Sequence, residues 1–151
     1  KNSSLESQVK DWFKPSAYGL ILLMKKGYPC IFYGDYYGVK GKKSPHRKVL
    51  DMLLRARKEY AYGEEVDYFD HPNTIGFVRL GDSGHADSGL ALVISNGEDG
   101  EKTMSVGENR KGEVWHEITG SVKDTVAIDE EGKGRFLVKG GKLAVWVKVK
   151  A

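Results

Sequence analysis

Cysteine is nearly missing from this 151-residue chain. Cys30 is the only one, so neither an internal disulfide framework nor a Cys-rich zinc site can be built. Long apolar runs are missing as well. The longest, of which Leu20–Met24 is one, fall far short of the roughly 20 residues that a helical membrane span needs. The opening Lys1-Asn2-Ser3-Ser4 is polar and carries no leader signature. A P-loop, a dinucleotide glycine fingerprint and a serine-hydrolase elbow are all absent. His46, His71, His85 and His116 show no metal-ligand spacing, which argues against a catalytic zinc. No group of residues assembles a catalytic constellation.

What is present suits a folded core. Hydrophobic residues make up 40% of the chain and aromatic ones 11%, too much apolar material for general disorder. The length fits one domain or two small ones. Charge is uneven: residues 1–62 hold 13 Lys/Arg against 5 Asp/Glu, and residues 63–151 hold 11 against 16. A basic first half raises an anionic or nucleic-acid partner, but no recognition motif accompanies it, and solvated lysine-bearing helix faces account for the excess.

The charge break coincides with a change of period. Ser3 with Glu6 reads as a capping box that opens a helix near Leu5. Leu5, Val9, Trp12 and Phe13 share a face, and Ala17, Leu20, Ile21 and Met24 continue it past a kink or break at Pro15. The near-continuous apolar run Tyr28–Gly34 predicts a strand buried on both faces of a parallel sheet. Ser44-Pro45 then caps a second helix to about Tyr60, with Val49, Met52, Leu53 and Ala56 inward. A lone parallel strand leaves its ladder groups unpaired, and its helices need a sheet to cover. Residues 1–62 are therefore expected to be the tail of a larger α/β domain.

From Val66 onward, eight short β-rich runs are separated by turn residues, at 66–69, 74–80, 90–95, 103–106, 114–118, 125–128, 135–138 and 143–149. They predict an antiparallel sandwich or barrel of a size that can fold alone.

Candidate sites follow from this frame. The run 28–34 would deliver Tyr33, Gly34 and Asp35 to the strand edge that faces ligands in parallel α/β proteins, on the rim of a sugar-sized cleft. The competing reading has Asp35 tying down loop amides while Tyr33 packs. Cys30, inside the predicted strand, reads as a small core residue. Asp67, Asp70, Asn73 and Asn96 carry oxygens suited to calcium, though such clusters commonly build turns. Trp115 and Trp146 would stack on sugars if exposed, whereas alternation places them in a sandwich core.

Several segments match a known family in order and spacing. They are Leu5-Glu6-Ser7, Trp12-Phe13-Lys14-Pro15, the Gly27–Gly38 pattern, Ala56-Arg57-Lys58 with Tyr60-Ala61-Tyr62-Gly63, Asp67–His71 and Gly140-Gly141. Together they resemble the C-terminal third of bacterial α-amylases. Asp70–Asn73 and Ser95–Thr103 look more like the intracellular branch, which implies a cytoplasmic location, with secretion as the alternative. The resemblance implies a (β/α)₈ barrel followed by an antiparallel Greek-key β-sandwich. Residues 1–62 would be the last helix-strand-helix segment of the barrel, with strand eight at 28–34, and residues 63–151 the terminal β domain. The implied reaction is retaining hydrolysis of internal α-1,4-glucosidic bonds by a nucleophilic Asp and an acid/base Glu.

The family's catalytic carboxylates fall upstream of Lys1, so no catalytic residue is assigned here, and the isolated chain is expected to be inactive. Its partners would be the glucan and the missing barrel portion, with self-association of residues 1–62 if these are isolated, and neither nucleic acid nor membrane. Some relatives bind calcium where Pro72 (through its carbonyl), Asn73 and Asn96 stand here. Relatives with that ion carry Asp at the last two positions, so calcium is not expected at this place, although the parent enzyme can hold it elsewhere. The alternative function is a non-catalytic carbohydrate-binding module.

Overall fold

Among the described residues, the apolar stretches find a face to bury, with one exception. In a computed structural model, which describes residues 9–150, a 3₁₀ turn at Asp11–Phe13 leads into helix α1, Lys14–Leu23. Short α2, Tyr33–Tyr37, and α3, Arg47–Glu59, follow. Eight strands come next: β1 Glu65–Tyr68, β2 Thr74–Arg79, β3 Leu90–Ser95, β4 Gly100–Ser105, β5 Val114–Glu117, β6 Thr125–Ala127, β7 Lys133–Val138 and β8 Leu143–Lys148. All eight predicted β-rich runs are strands, with ends shifted by up to three residues. The Ser3–Glu6 capping box and Leu5 lie outside the described residues.

Six strands form an antiparallel sheet in the order β1-β2-β3-β8-β5-β6, and β4 pairs with β7 in a second. Side chains alternate across a strand, and here both faces of the larger sheet are covered. Phe77, Leu92 and Val145 stand in register across β2, β3 and β8 and pack with Leu22, Leu23, Leu50, Leu53 and Ala56 of α1 and α3. The neighbouring row, Val78, Ala91 and Trp146, faces the β4–β7 sheet and packs with Met104, Trp115 and Phe136. The layers run helices, six strands, two strands. Double coverage explains why β3 is buried at every position, like the strands of a parallel sheet.

Pro15 stands in the first turn of α1, where its missing N–H costs nothing, so it starts this helix rather than kinking a longer one. The buried face of α1 is Tyr18, Gly19, Leu22 and Leu23, while Ile21, expected inward, is exposed. Gly19 permits this docking: a Cβ there would lie 2.8 Å from Leu143 Cδ1 and 3.0 Å from Leu92 Cδ1. In α3 the buried positions are Leu50, Leu53 and Ala56, and Arg57 and Lys58 close it, favourably for the helix dipole. Val49 and Met52 are half-buried.

The exception is the strand expected at 28–34. Residues 28–32 have no regular structure, and Tyr33 and Gly34 open α2. A strand needs neighbours for its N–H and C=O groups, and within the described residues none lies beside this run. Ile31 alone of the run packs half-buried against the core, while Tyr28, Phe32, Tyr33, Tyr37 and Val39 are exposed, as is Cys30, which is therefore not a core residue. The sheet that α1 and α3 cover is supplied by β2, β3 and β8 of the same chain.

Candidate functional site

Asp35 ties the exposed segment to α1. Its Oδ1 lies 2.8 Å from Lys14 Nζ, and the Tyr18 hydroxyl donates to Oδ2 at 2.6 Å. Lys14 and Tyr18 are four residues apart on α1 and so share a face. The Tyr18 oxygen in turn accepts the Phe32 N–H at 3.1 Å, and Ser44 Oγ donates to the Asp35 carbonyl. The predicted cap residue Ser44 also accepts the His46 N–H at 3.1 Å. Burial pushes the Asp35 carboxyl up, but hydrogen bonds from Lys14 and Tyr18, with the Lys14 charge, hold it below the usual carboxylate range. Burial, then the Asp35 bond, pushes the Tyr18 hydroxyl up. Asp35 is thus an ionised, fully engaged anchor. A general acid needs a proton to give near working pH, and this carboxyl holds none.

The predicted rim residues are adjacent on α2 yet point apart. Tyr33 lies outside, its ring 4.6 Å from that of Tyr37, while Asp35 turns inward. Gly34 is hemmed in: a Cβ would stand 2.7 Å from Val39 Cγ2. Arg47 lies 3.8 Å over the Tyr36 ring, and the Tyr36 hydroxyl donates to Asp51 at 2.6 Å. Beside this group lies a mainly apolar cleft of about 500 Å³, lined by Val9, Ala17, Ile21, Cys30 and Phe32 with Tyr18 and Asp35 at its side.

Two of the positions considered for calcium, Asn73 and Asn96, come together. The Asn96 N–H donates to the Asn73 carbonyl at 3.1 Å. His71 Nδ1 accepts the N–H groups of Asn73 and Thr74 at 3.1 and 3.2 Å. The carboxylate nearest to Asn73 in sequence, Asp70, pairs with Lys102 Nζ at 2.6 Å, and that ammonium also donates to the Thr74 carbonyl. Neutral amides at positions 73 and 96 and a carboxylate already neutralised by an ammonium are a poor donor set for a hard dication. Among the described residues no group of three His, Cys, Asp or Glu has metal-binding geometry.

The histidines have separate, local tasks. His46 is buried with Nε2 3.0 Å from Asp11 Oδ1, and His85 stacks on Tyr62 with ring centres 3.5 Å apart. Trp115 and Trp146 are completely buried and offer no sugar platform. Part of the basic surplus of the first half is engaged too. Lys14 pairs with Asp35, Lys25 with Glu64, and Arg57 donates to the Leu22 carbonyl. Sequence reasoning missed two features. One is the Lys14–Tyr18 pair, whose spacing on α1 was legible but whose partner 17 residues beyond Tyr18 was not. The other is Glu117, a nearly buried carboxylate that accepts the N–H groups of Thr119, Ser121 and Val145 at 2.8–2.9 Å.

No protein-family model matches the chain. It is 49% identical over 145 residues to a glucan 1,4-alpha-maltohexaosidase of Bacillus sp. (strain 707), covering 95% of this chain and 28% of that protein. It is 49% identical over 149 residues to an alpha-amylase of Bacillus licheniformis, covering 96% and 29%. A cytoplasmic alpha-amylase of Escherichia coli (strain K12) is 40% identical over 155 residues, covering 95% and 31%. The chain thus spans less than a third of the length of these relatives. A solved alpha-amylase from Malbranchea cinnamomea superposes with a TM-score of 0.68 over 91% of this chain and 33% of that one, at 13% identity, a likeness of fold. The antiparallel β architecture and the sequence agreement point the same way: this chain is homologous over nearly its whole length to bacterial α-amylases and corresponds to their C-terminal part.

Proposed function

We propose that this chain is the C-terminal part of an enzyme that hydrolyses internal α-1,4-glucosidic bonds of starch- and glycogen-type glucans. In that enzyme the segment 28–34 is strand eight of a (β/α)₈ barrel, α3 is the last barrel helix, and residues 63–151 form a Greek-key β-sandwich that braces it. The catalytic pair, a nucleophilic Asp and an acid/base Glu about 5–5.5 Å apart in retaining enzymes, belongs to the rest of the protein. Tyr33, Gly34 and Asp35 sit at the barrel rim, with Asp35 as the anchor of that rim. No calcium is held at Pro72, Asn73 and Asn96.

The observation that carries this reading is identity of 48–49% over 95% or more of the chain with three enzymes named for action on α-glucan. The unpaired apolar run at 28–32 supports the barrel assignment, because such a run is what a barrel strand becomes without its neighbours. A cytoplasmic location draws support from the relative named as cytoplasmic and from an unpaired, exposed Cys30. Among the described residues, no helix is long and apolar enough to cross a membrane.

The test is amylose hydrolysis followed by release of reducing ends. The pure 151-residue chain is expected to release none, and the full-length protein to cleave internally with retention at the anomeric carbon. Hydrolysis by the isolated chain, or none by the folded full-length protein, would overturn the proposal.

A further inference from the structure

Where the ends of α1 and α3 come together, the chain gathers positive charge. A cleft of about 390 Å³ opens there, between the residues just after α1, the last turns of α3 and the end of β2. Lys25, Arg57, Lys58 and Arg79 line it, and no acidic residue does. Clefts of about 300–1,000 Å³ are the usual size for small ligands.

Helix C-termini attract cations, and capping accounts for part of this cluster. Arg57 Nη1 donates to the Leu22 carbonyl at 2.6 Å and Arg79 Nη1 to the Leu23 carbonyl at 2.9 Å, both at the end of α1. Arg79 Nε donates to the Gly63 carbonyl at 3.1 Å. Lys25 pairs with Glu64 at 2.6 Å, and its backbone N–H donates to Glu65 at 2.7 Å. The rest of the charge is unmatched. Among the described residues, Arg57, Lys58 and Arg79 form no ion pair, and Arg57 Nε and Nη2 and Arg79 Nη2 have no hydrogen-bond partner. Two helix ends supply only about half a negative charge each, so the four cations keep a positive surplus even with Glu64 and Glu65 counted.

Arg79 is only 7% exposed. A guanidinium so far from water is costly to leave without a counter-charge. Burial pushes it down from its usual range and the Arg57 charge adds to this, while Glu65 and Glu64 act the other way. Arg57 is half-buried and Lys58 exposed at the mouth. Free N–H groups on two guanidinium groups, with a flexible ammonium beside them, suit a small tetrahedral oxyanion that accepts several charged hydrogen bonds at once.

We propose that this cleft binds a phosphate-class oxyanion, either free phosphate or the phosphoryl group of a small metabolite, held by Arg57 and Arg79 with Lys58 at its mouth. Every residue of the site belongs to this chain and none is assigned to glucan hydrolysis, so the site stands whether or not the enzymatic reading does.

The probes are inorganic phosphate and glycerol 3-phosphate, titrated into the full chain at constant ionic strength and followed by calorimetry. Phosphate is expected to bind saturably, and chloride at the same ionic strength to give no such response. Tighter binding of the ester marks a carried phosphoryl group as the ligand, and equal or weaker binding marks free phosphate. Arg57→Gln is expected to weaken phosphate binding by roughly tenfold or more, as loss of a charge-assisted hydrogen bond implies. Lys58→Gln, at an exposed position that caps nothing, is expected to weaken it by about two- to fivefold. Should Arg57→Gln fail to fold for want of its bond to α1, NMR of the unmodified chain serves instead. The Arg57 and Arg79 side-chain N–H resonances are expected to move with phosphate, while that of Arg55, on the solvent side of α3, stays fixed. A folded chain that shows no saturation at millimolar phosphate would overturn the proposal. So would undiminished binding by folded Arg57→Gln, an equal response to chloride, or equal movement of all three arginine resonances.

Discussion

Asp35 illustrates how a side chain that the sequence places at a cleft rim is held by partners the sequence does not show. A carboxylate at the end of an apolar run, beside tyrosines and glycines, has the setting of a rim residue. The fold gives it an ammonium and a phenol as partners, and its side chain is only 12% exposed. Its pKa lies below the ordinary value of 3.8. A carboxyl depressed in the folded state stabilises fully at pH above its unfolded value, and that stability is lost as pH falls through the folded pKa. The chain is therefore expected to lose this contribution as pH drops below about 4, measured by urea unfolding across that range. Asp35→Asn is expected to remove it, lowering stability by about 1–3 kcal/mol at neutral pH and flattening the acid limb. An unchanged acid limb in the variant would show that other carboxyls set it. Nothing in the sequence linked position 35 to positions 14 and 18, because that contact exists only once α2 folds back on α1.

Elements show the same division between local pattern and remote partner. The spacing Leu50, Leu53, Ala56 is legible as one helical face, and so are the alternating rows of β2, β3 and β8. Which layer each row meets is not. Leu53, fully buried between α3 and the sheet, is expected to cost about 2–5 kcal/mol when cut to Ala. Arg55→Ala, two residues away, is expected to change stability by less than about 0.5 kcal/mol. Arg55 points to solvent and, among the described residues, pairs with Glu59. Denaturant midpoints of the two variants check the contrast, and equal losses would mean that α3 is not docked as described. The run 28–34 departs in the other direction and forms no strand in this chain. Its residues are as apolar as those of β3, but β3 has two paired neighbours and this run has none among the described residues. Hydrophobicity makes burial favourable, while backbone pairing decides whether a strand forms.

For the molecule as a whole, the helix-facing row of the large sheet matters most. Phe77, Leu90, Leu92, Ile94, Leu143, Val145 and Val147 are buried under α1, α3 and Tyr60. A shortened chain of residues 63–151, though ample in length for a β domain, would expose that row as one apolar face, a surface that drives association. It is expected to bind a hydrophobic dye strongly and to form higher-order species, while the full chain does neither to the same extent. Sedimentation with dye fluorescence checks this. A monomeric, dye-silent β fragment would show that the helices merely rest on an independently satisfied sheet. In the helical part Ile21, Tyr28, Phe32, Tyr33 and Val39 are exposed.

The residues alone determined the two long helices ahead of the β part and its eight strands, set by alternation and turn residues, with Trp115 and Trp146 in the core. They also carried the family likeness, since motif order needs no coordinates. Only the tertiary structure decided that β8 inserts between β3 and β5, that α1 and α3 lie on this chain's own sheet, and that Asp35 is an anchor. It likewise decided that the 28–32 run stays unpaired. The physical reason is range. Helical faces and strand alternation arise from residues a few positions apart, whereas strand pairing, layer docking and ion pairing join groups far apart in sequence, whose partners are defined only after the chain has folded.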